Sequence, residues 1–272
     1  MANILMPDCL VKLNNLLQAI ENAPVECDGH TLMICSALNH AGISHQRMCG
    51  VVKNPKTYFE LYPHFWIEAG PVHDTVFPYH TTDIEIAYQQ WKSLVQSRFT
   101  TCDNDIKETQ NIYRSVHWST AKSIATSNSR ICLWVISAGL GLRHSSDPAI
   151  PYDATFTKTG KKNASIWEML TSDPILPGKV PSLAELLSLY RHDIFIIAAS
   201  PVYLNAVEDD LVKGVAYLPC PRKQLKIASS ASYNGRLREY VRCGGSRMMK
   251  DLNANMTTLN IKHAGMLIHE LG

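Results

Sequence analysis

The chain has 272 residues, of which 46% are hydrophobic and 18% charged, with a formal net charge of +2. That length suits one large or two medium domains with a substantial core, and the balance is far from that of a basic nucleic-acid-binding domain. No run approaches eighteen apolar residues, and the start, MANILMPDCLVKL, lacks a basic region leading into an apolar stretch and a small-residue cleavage site. The expectation is a soluble cytoplasmic protein with no membrane partner. Eight cysteines at positions 9, 27, 35, 49, 102, 132, 220 and 243 show no paired spacing. In such a setting they are expected as reduced thiols, most of them buried.

The first predicted helix runs from Asp28 to Ala41 (DGHTLMICSALNHA), where Leu32, Ile34, Cys35 and Leu38 recur at mainly helical spacing before Gly42. Cys27 stands at its N-terminus, where unpaired N–H groups and the positive end of the helix dipole lower a thiol pKa. Two short apolar runs follow, Met48 to Val52 and Phe65 to Ile67, each of strand length, and then Val72-His73-Asp74. A helix carrying Cys27, followed by strands carrying His64 and Asp74, can bring a nucleophile, a base and an orienting carboxylate together. Glu68 and Asp83 are the nearest other acidic residues for the last role.

The segment from Cys27 to Asp74 resembles the transglutaminase-like branch of the papain-like fold, including the lasso-peptide leader peptidases. The resemblance is carried by Cys27, Gly42-Ile43, the run Met48-Cys49-Gly50-Val51-Val52, the segment His64-Phe65-Trp66-Ile67-Glu68, and Asp74, within residues 8–97. It implies that Cys27 is the nucleophile, His64 the general base and acid, and Asp74 the group that orients His64, with Trp66 packed beside the site. Oxyanion stabilisation would come from the backbone N–H of Cys27, with the Asn22 amide as a candidate second donor. Asp28, directly after Cys27, opposes thiolate formation by its charge.

The same stretch is dense in potential metal ligands: Cys27, His30, Cys35, His40, His45 and Cys49. It holds no C-x₂-C pair, and His30, Cys35 and His40 recur at steps of five, which walk around a helix instead of stacking on one face. No metal and no cofactor is assigned.

A polar, turn-prone segment, Arg98 to Glu108 (RFTTCDNDIKE), reads as the link between a first domain over residues 1–98 and a second over 109–272, the linker proper being 99–108. Residues 1–98 carry a balance of −3 and the remainder +5, so the second part is the better match for an anionic partner. Trp118 to Thr126 and Ser182 to Tyr190 read as helices. Ile131 to Ile136 and Ile194 to Ala199 are continuous apolar runs typical of strands buried on both faces. Strands alternating with helices predict an α/β layer with a parallel sheet in the second part, a Rossmann-like domain, while the resemblance implies an α+β papain/transglutaminase-like domain before it.

Directly after the first apolar run comes Ser137-Ala-Gly-Leu-Gly-Leu142, and then Ile150-Pro-Tyr-Asp-Ala-Thr-Phe156. In parallel sheets ligands bind beyond the carboxyl ends of the strands, and glycines there let backbone N–H groups approach a phosphate. The pair of segments resembles poorly characterised Rossmann-like domains found near nucleic-acid modification and phage-defence genes, mainly over residues 131–200. That resemblance implies a nucleotide or nucleic-acid ligand near Ser137, Gly139, Gly141, Tyr152 and Asp153. Further on, Arg236, Arg238, Arg242 and Arg247 cluster around Gly244-Gly245, a residue type suited to phosphate.

The leading expectation is a thiol hydrolase or acyltransferase acting on an amide or peptide bond through a thioester, with a ligand- or partner-recognising second domain. The alternative is a nucleotide- or nucleic-acid-binding protein in which the α/β domain carries the function and the first domain is a scaffold. Substrate identity and oligomeric state are not legible in the sequence.

Overall fold

The computed structural model describes residues 45–48, 64–67, 75–101, 106–113 and 115–271, with backbone alone for the first two segments. The chain divides into two compact units, Met1–Asp74 and Thr75–Gly272. In the first unit, β1 (His45–Met48) pairs antiparallel with β2 (His64–Ile67), placing Met48 opposite His64 and Gln46 opposite Trp66.

The second unit is a mixed α/β structure. Its first helix, α1 (Ile84–Thr101), begins where the Asp83 carboxylate accepts the N–H groups of Glu85 (2.9 Å) and Ile86 (3.1 Å). Ala87, Tyr88, Trp91 and Val95 form its buried stripe, at the spacing that lines up one helix face. These residues join the core of the Thr75–Gly272 unit, so α1 belongs there by packing. Full burial of a side chain such as Val95 is worth roughly 1.5–3 kcal/mol.

After the short β3 (Lys107–Glu108) comes α2 (Val116–Ser127), capped by Ser115, whose hydroxyl accepts the Trp118 N–H at 3.1 Å. The apolar run at 131–136 then contributes β4 (Trp134–Ser137), which pairs with β5 (Gly141–His144) as an antiparallel hairpin. This departs from the expected parallel strand. Only three residues separate β4 from β5, and a connection so short can join only antiparallel neighbours. A two-residue strand, β6 (Pro148–Ala149), pairs with β3.

Helices α3 (Phe156–Thr159), α4 (Asn163–Ser172) and α5 (Leu183–Leu189) follow. The start of α5 is doubly held. Ser182 accepts the Glu185 N–H at 3.1 Å, and Asp210 accepts the N–H groups of Leu183 (2.8 Å) and Ala184 (3.0 Å) while also taking the indole N–H of Trp167 at 2.9 Å. One carboxylate from the next long helix thus ties α4 to the start of α5.

The second apolar run supplies β7 (Phe195–Ala198), the first strand of a three-stranded parallel sheet in the order β7-β8-β9. Helices α6 (Pro201–Val215) and α7 (Pro221–Gln224) lead to β8 (Leu225–Ser229), and an irregular segment leads to β9 (Val241–Cys243). Alternation along β8 sends Leu225 and Ile227 into the main core with Leu204, Val207 and Leu211 of α6. Ala228 turns to the other face, against Ala264 and Leu267 of α9 (Leu259–His269), which follows α8 (Ser246–Asp251). The sheet is therefore covered on both faces, as parallel sheets are.

Candidate functional site

Of the residues predicted for the thiol site, Cys27, Asn22 and Asp74 lie outside the described residues. His64 is the first residue of β2 and Trp66 stands two positions along, so the two occupy the same face of the strand while Phe65 and Ile67 occupy the other. Asp83 is engaged as the cap of α1.

In the α/β unit, three of the five predicted ligand residues converge. The Ser137 hydroxyl lies 2.5 Å from the Tyr152 phenol and accepts the Leu140 N–H at 2.9 Å, closing the turn between β4 and β5. Gly139 sits at that turn because nothing larger fits: a Cβ there would stand 2.7 Å from Tyr152 Cε2 and 3.0 Å from Trp91 Cζ2. Its carbonyl accepts the Trp91 indole N–H at 2.7 Å, anchoring the turn to α1. Gly141, with φ +76°, adopts a left-handed conformation beside the Leu170 carbonyl. Asp153 stands apart from this cluster. It is half-exposed, 3.6 Å from Lys158, and its backbone exchanges hydrogen bonds with Thr75 and Phe77.

Two residues missed by sequence reasoning complete the cluster. The Tyr113 phenol lies 2.7 Å from that of Tyr152, making a chain of three hydroxyls, and Trp91 packs edge-on to the Tyr152 ring. Nothing local in the sequence links Tyr113 or Trp91 to a turn dozens of residues away. Burial pushes the Tyr152 phenol well above the ordinary tyrosine value and raises that of Tyr113 as well, so both are neutral donors near physiological pH. Among the described residues no histidine or carboxylate touches the three hydroxyls, so Ser137 has no base to activate it. The cluster holds the β4–β5 turn against α1.

Beside the hairpin, Arg143 is buried and donates to the carbonyls of Leu176 (3.1 Å), Pro148 (2.6 Å) and Pro177 (2.7 Å). Burial lowers its pKa, and the facing Asp147 carboxylate opposes that effect. A cavity of about 30 Å³ lies against it, lined by Leu140, Leu142, Leu170 and Leu176 among others, with room for about two waters and not for a nucleotide.

The predicted arginine cluster divides. Arg236 is paired with Glu208 at 3.1 Å and also with Asp209. Arg238 donates to Cys243 Sγ at 2.9 Å, and Arg242 to the Glu239 carbonyl at 3.4 Å. Arg238 opens the 3-10 turn Arg238–Tyr240 that leads into β9, Arg242 lies in β9 itself, an outer strand of the parallel sheet, and Arg247 follows in α8.

Among the described residues no three His, Cys, Asp or Glu side chains converge to hold a metal ion, and no helix is long and apolar enough to cross a membrane. Comparison of the chain with protein-family models, with curated proteins and with solved structures finds no match.

Proposed function

We propose that the protein is a cysteine-dependent hydrolase or acyltransferase acting on an amide, peptide or isopeptide bond. The observation that carries this reading is the placement of His64 at the start of β2, opposite Met48 in an antiparallel pair and on the same strand face as Trp66. A histidine at the start of a strand, with Trp66 two positions on and Asp74 ten residues later, supports the resemblance to the transglutaminase-like branch, whose pattern runs Cys, His, Asp as Cys27, His64 and Asp74 do here.

In this reading His64 takes the Cys27 proton. The thiolate sulfur attacks the carbonyl carbon, and the resulting oxyanion collapses to a thioester as His64 protonates the leaving amine. Water or an acceptor amine then attacks the thioester with His64 as base, regenerating the thiol. Asp74 keeps the imidazole in the useful tautomer, and the α/β unit supplies recognition of a ligand or partner.

The test is site-resolved alkylation of the whole protein with iodoacetamide at mildly acidic pH, read by peptide mass spectrometry. Cys27 is expected to react faster than the exposed Cys132, Cys220 and Cys243, and His64→Ala is expected to remove that advantage. Reaction of Cys27 no faster than those three, with no change on His64→Ala, would overturn the proposal.

A further inference from the structure

We infer that the exposed cations Arg238, Arg242, Arg247 and Lys250, carried by β9 and the turn and helix that flank it, bind the phosphodiester backbone of nucleic acid. The starting point is an account of the cations in this part of the fold. Arg222 is matched by Glu239 at 2.9 Å and Arg236 by Glu208 and Asp209, so those charges are compensated locally. Arg238, Arg242, Arg247 and Lys250 are exposed and meet no carboxylate among the described residues, and the exposed Asp251 offsets one of the four. A net surplus concentrated on one short stretch is where a polyanion gains most.

The guanidinium groups are also partly ordered in advance. Arg238 rests on Cys243 Sγ and Arg242 on the Glu239 carbonyl, each through a single N–H, which leaves their other donors for an incoming oxygen. Holding the side chains beforehand lowers the entropy cost of binding. The backbone between them is accessible: Gly245 is exposed, and a Cβ built on it would meet no atom within 4 Å.

The form of the surface selects the ligand class. A mononucleotide site buries most of its ligand in a walled cleft, whereas here Arg242, Cys243, Gly245 and Arg247 all lie open. No exposed aromatic stands among them, since Tyr240 is only 8% exposed, so bases have no platform on which to stack. Open guanidiniums without a base platform fit a phosphate chain read without regard to sequence. The surface lies entirely in the α/β unit and would work whether or not Cys27 is a nucleophile.

The test uses the full-length protein and end-labelled 20-mer oligonucleotides, single-stranded and duplex, followed by fluorescence anisotropy between about 50 and 200 mM salt. Three or four neutralised phosphates predict a slope of log affinity against log salt of roughly −2 to −3 for the single strand and roughly −3 to −4 for the duplex. The triple variant Arg238→Gln, Arg242→Gln, Arg247→Gln is expected to lose at least tenfold in affinity and most of that slope. A control removing three exposed lysines elsewhere, Lys107→Gln, Lys161→Gln, Lys213→Gln, is expected to keep both. If the triple variant does not fold, Arg242→Gln and Arg247→Gln singly should each flatten the slope by about 0.7 to 0.9. Absence of binding at the lowest salt, equal losses in triple variant and control, unchanged slopes in the single variants, or binding of heparin without binding of oligonucleotides would each overturn the inference.

Discussion

Asp147 and Arg143 face each other at 4.0 Å with side chains only 3% and 2% exposed, and the carboxylate also receives the N–H groups of His144 (2.7 Å) and Lys179 (3.2 Å). The pair therefore joins the end of β5 to the segment at 176–179, whose carbonyls take the guanidinium. Gly178 leaves the necessary space, since a Cβ there would stand 2.6 Å from Arg143 Nη1. Removing one member of a buried pair strands the other charge, at a cost of about 3–5 kcal/mol. Asp147→Ala is thus expected to lower the urea midpoint by that equivalent, and adding Arg143→Ala is expected to cost much less than the sum of the two single variants. Additive losses in a double-mutant cycle would show that the pair is not the unit of stability.

The turn at 137–141 makes a second prediction. Gly139→Ala forces a methyl into the Tyr152 and Trp91 rings and is expected to cost about 1–3 kcal/mol. Pairing it with Tyr152→Leu should relieve part of that loss. Tyr152→Phe keeps the ring but breaks the hydroxyl chain to Ser137 and Tyr113, costing about 1 kcal/mol, and Gly141→Ala adds roughly 1–2 kcal/mol of backbone strain at φ +76°. Chemical denaturation of the four variants checks the order.

Acid sensitivity should be traceable to His263. The residue is 3% exposed on α9 and its Nδ1 has no hydrogen-bond partner. Burial lowers its pKa, with Glu270 opposing the shift, so below about pH 6.5 the unfolded chain takes up a proton that the folded protein resists. Stability is then lost as pH falls from that value through the folded pKa, and the loss is complete below it. His144, lowered by burial and by Lys179, acts in the same direction. Melting curves at about pH 7.5 and about pH 5.5 should differ less for His263→Leu than for the parent protein. An unchanged difference would place the acid sensitivity elsewhere.

The sequence made the α/β character of the second unit legible because its signals are local. The run at 194–199 became β7, the spacing over 182–190 became α5 behind its Ser182 cap, and that over 118–126 became α2. The partner of the run at 131–136 was not legible, because a continuous apolar run has the same appearance in a parallel or an antiparallel sheet. What decides it is the three-residue connection to β5, a tight turn closed by the hydrogen bond from Leu140 N–H to Ser137 Oγ. The helix α1 was not read from the sequence, which assigned residues up to 98 to the first domain; its place in the second unit depends on tertiary packing such as the Trp91–Gly139 contact, 48 residues apart in the chain. Ser137, Gly139 and Tyr152 were legible as a group, while the mutual pairing of their hydroxyls depends on Tyr113 and on three-dimensional proximity.

The rate of Cys27 alkylation as a function of pH tests the central claim most directly. A thiolate paired with the His64 imidazolium should give a plateau of reactivity extending well below the ordinary thiol pKa of about 8.5, and Asp74→Asn should collapse that plateau without changing the melting temperature. A Cys27 rate in the parent protein that climbs only through about pH 8.5, as for an isolated thiol, and that is indifferent to His64→Ala and Asp74→Asn, would contradict the account.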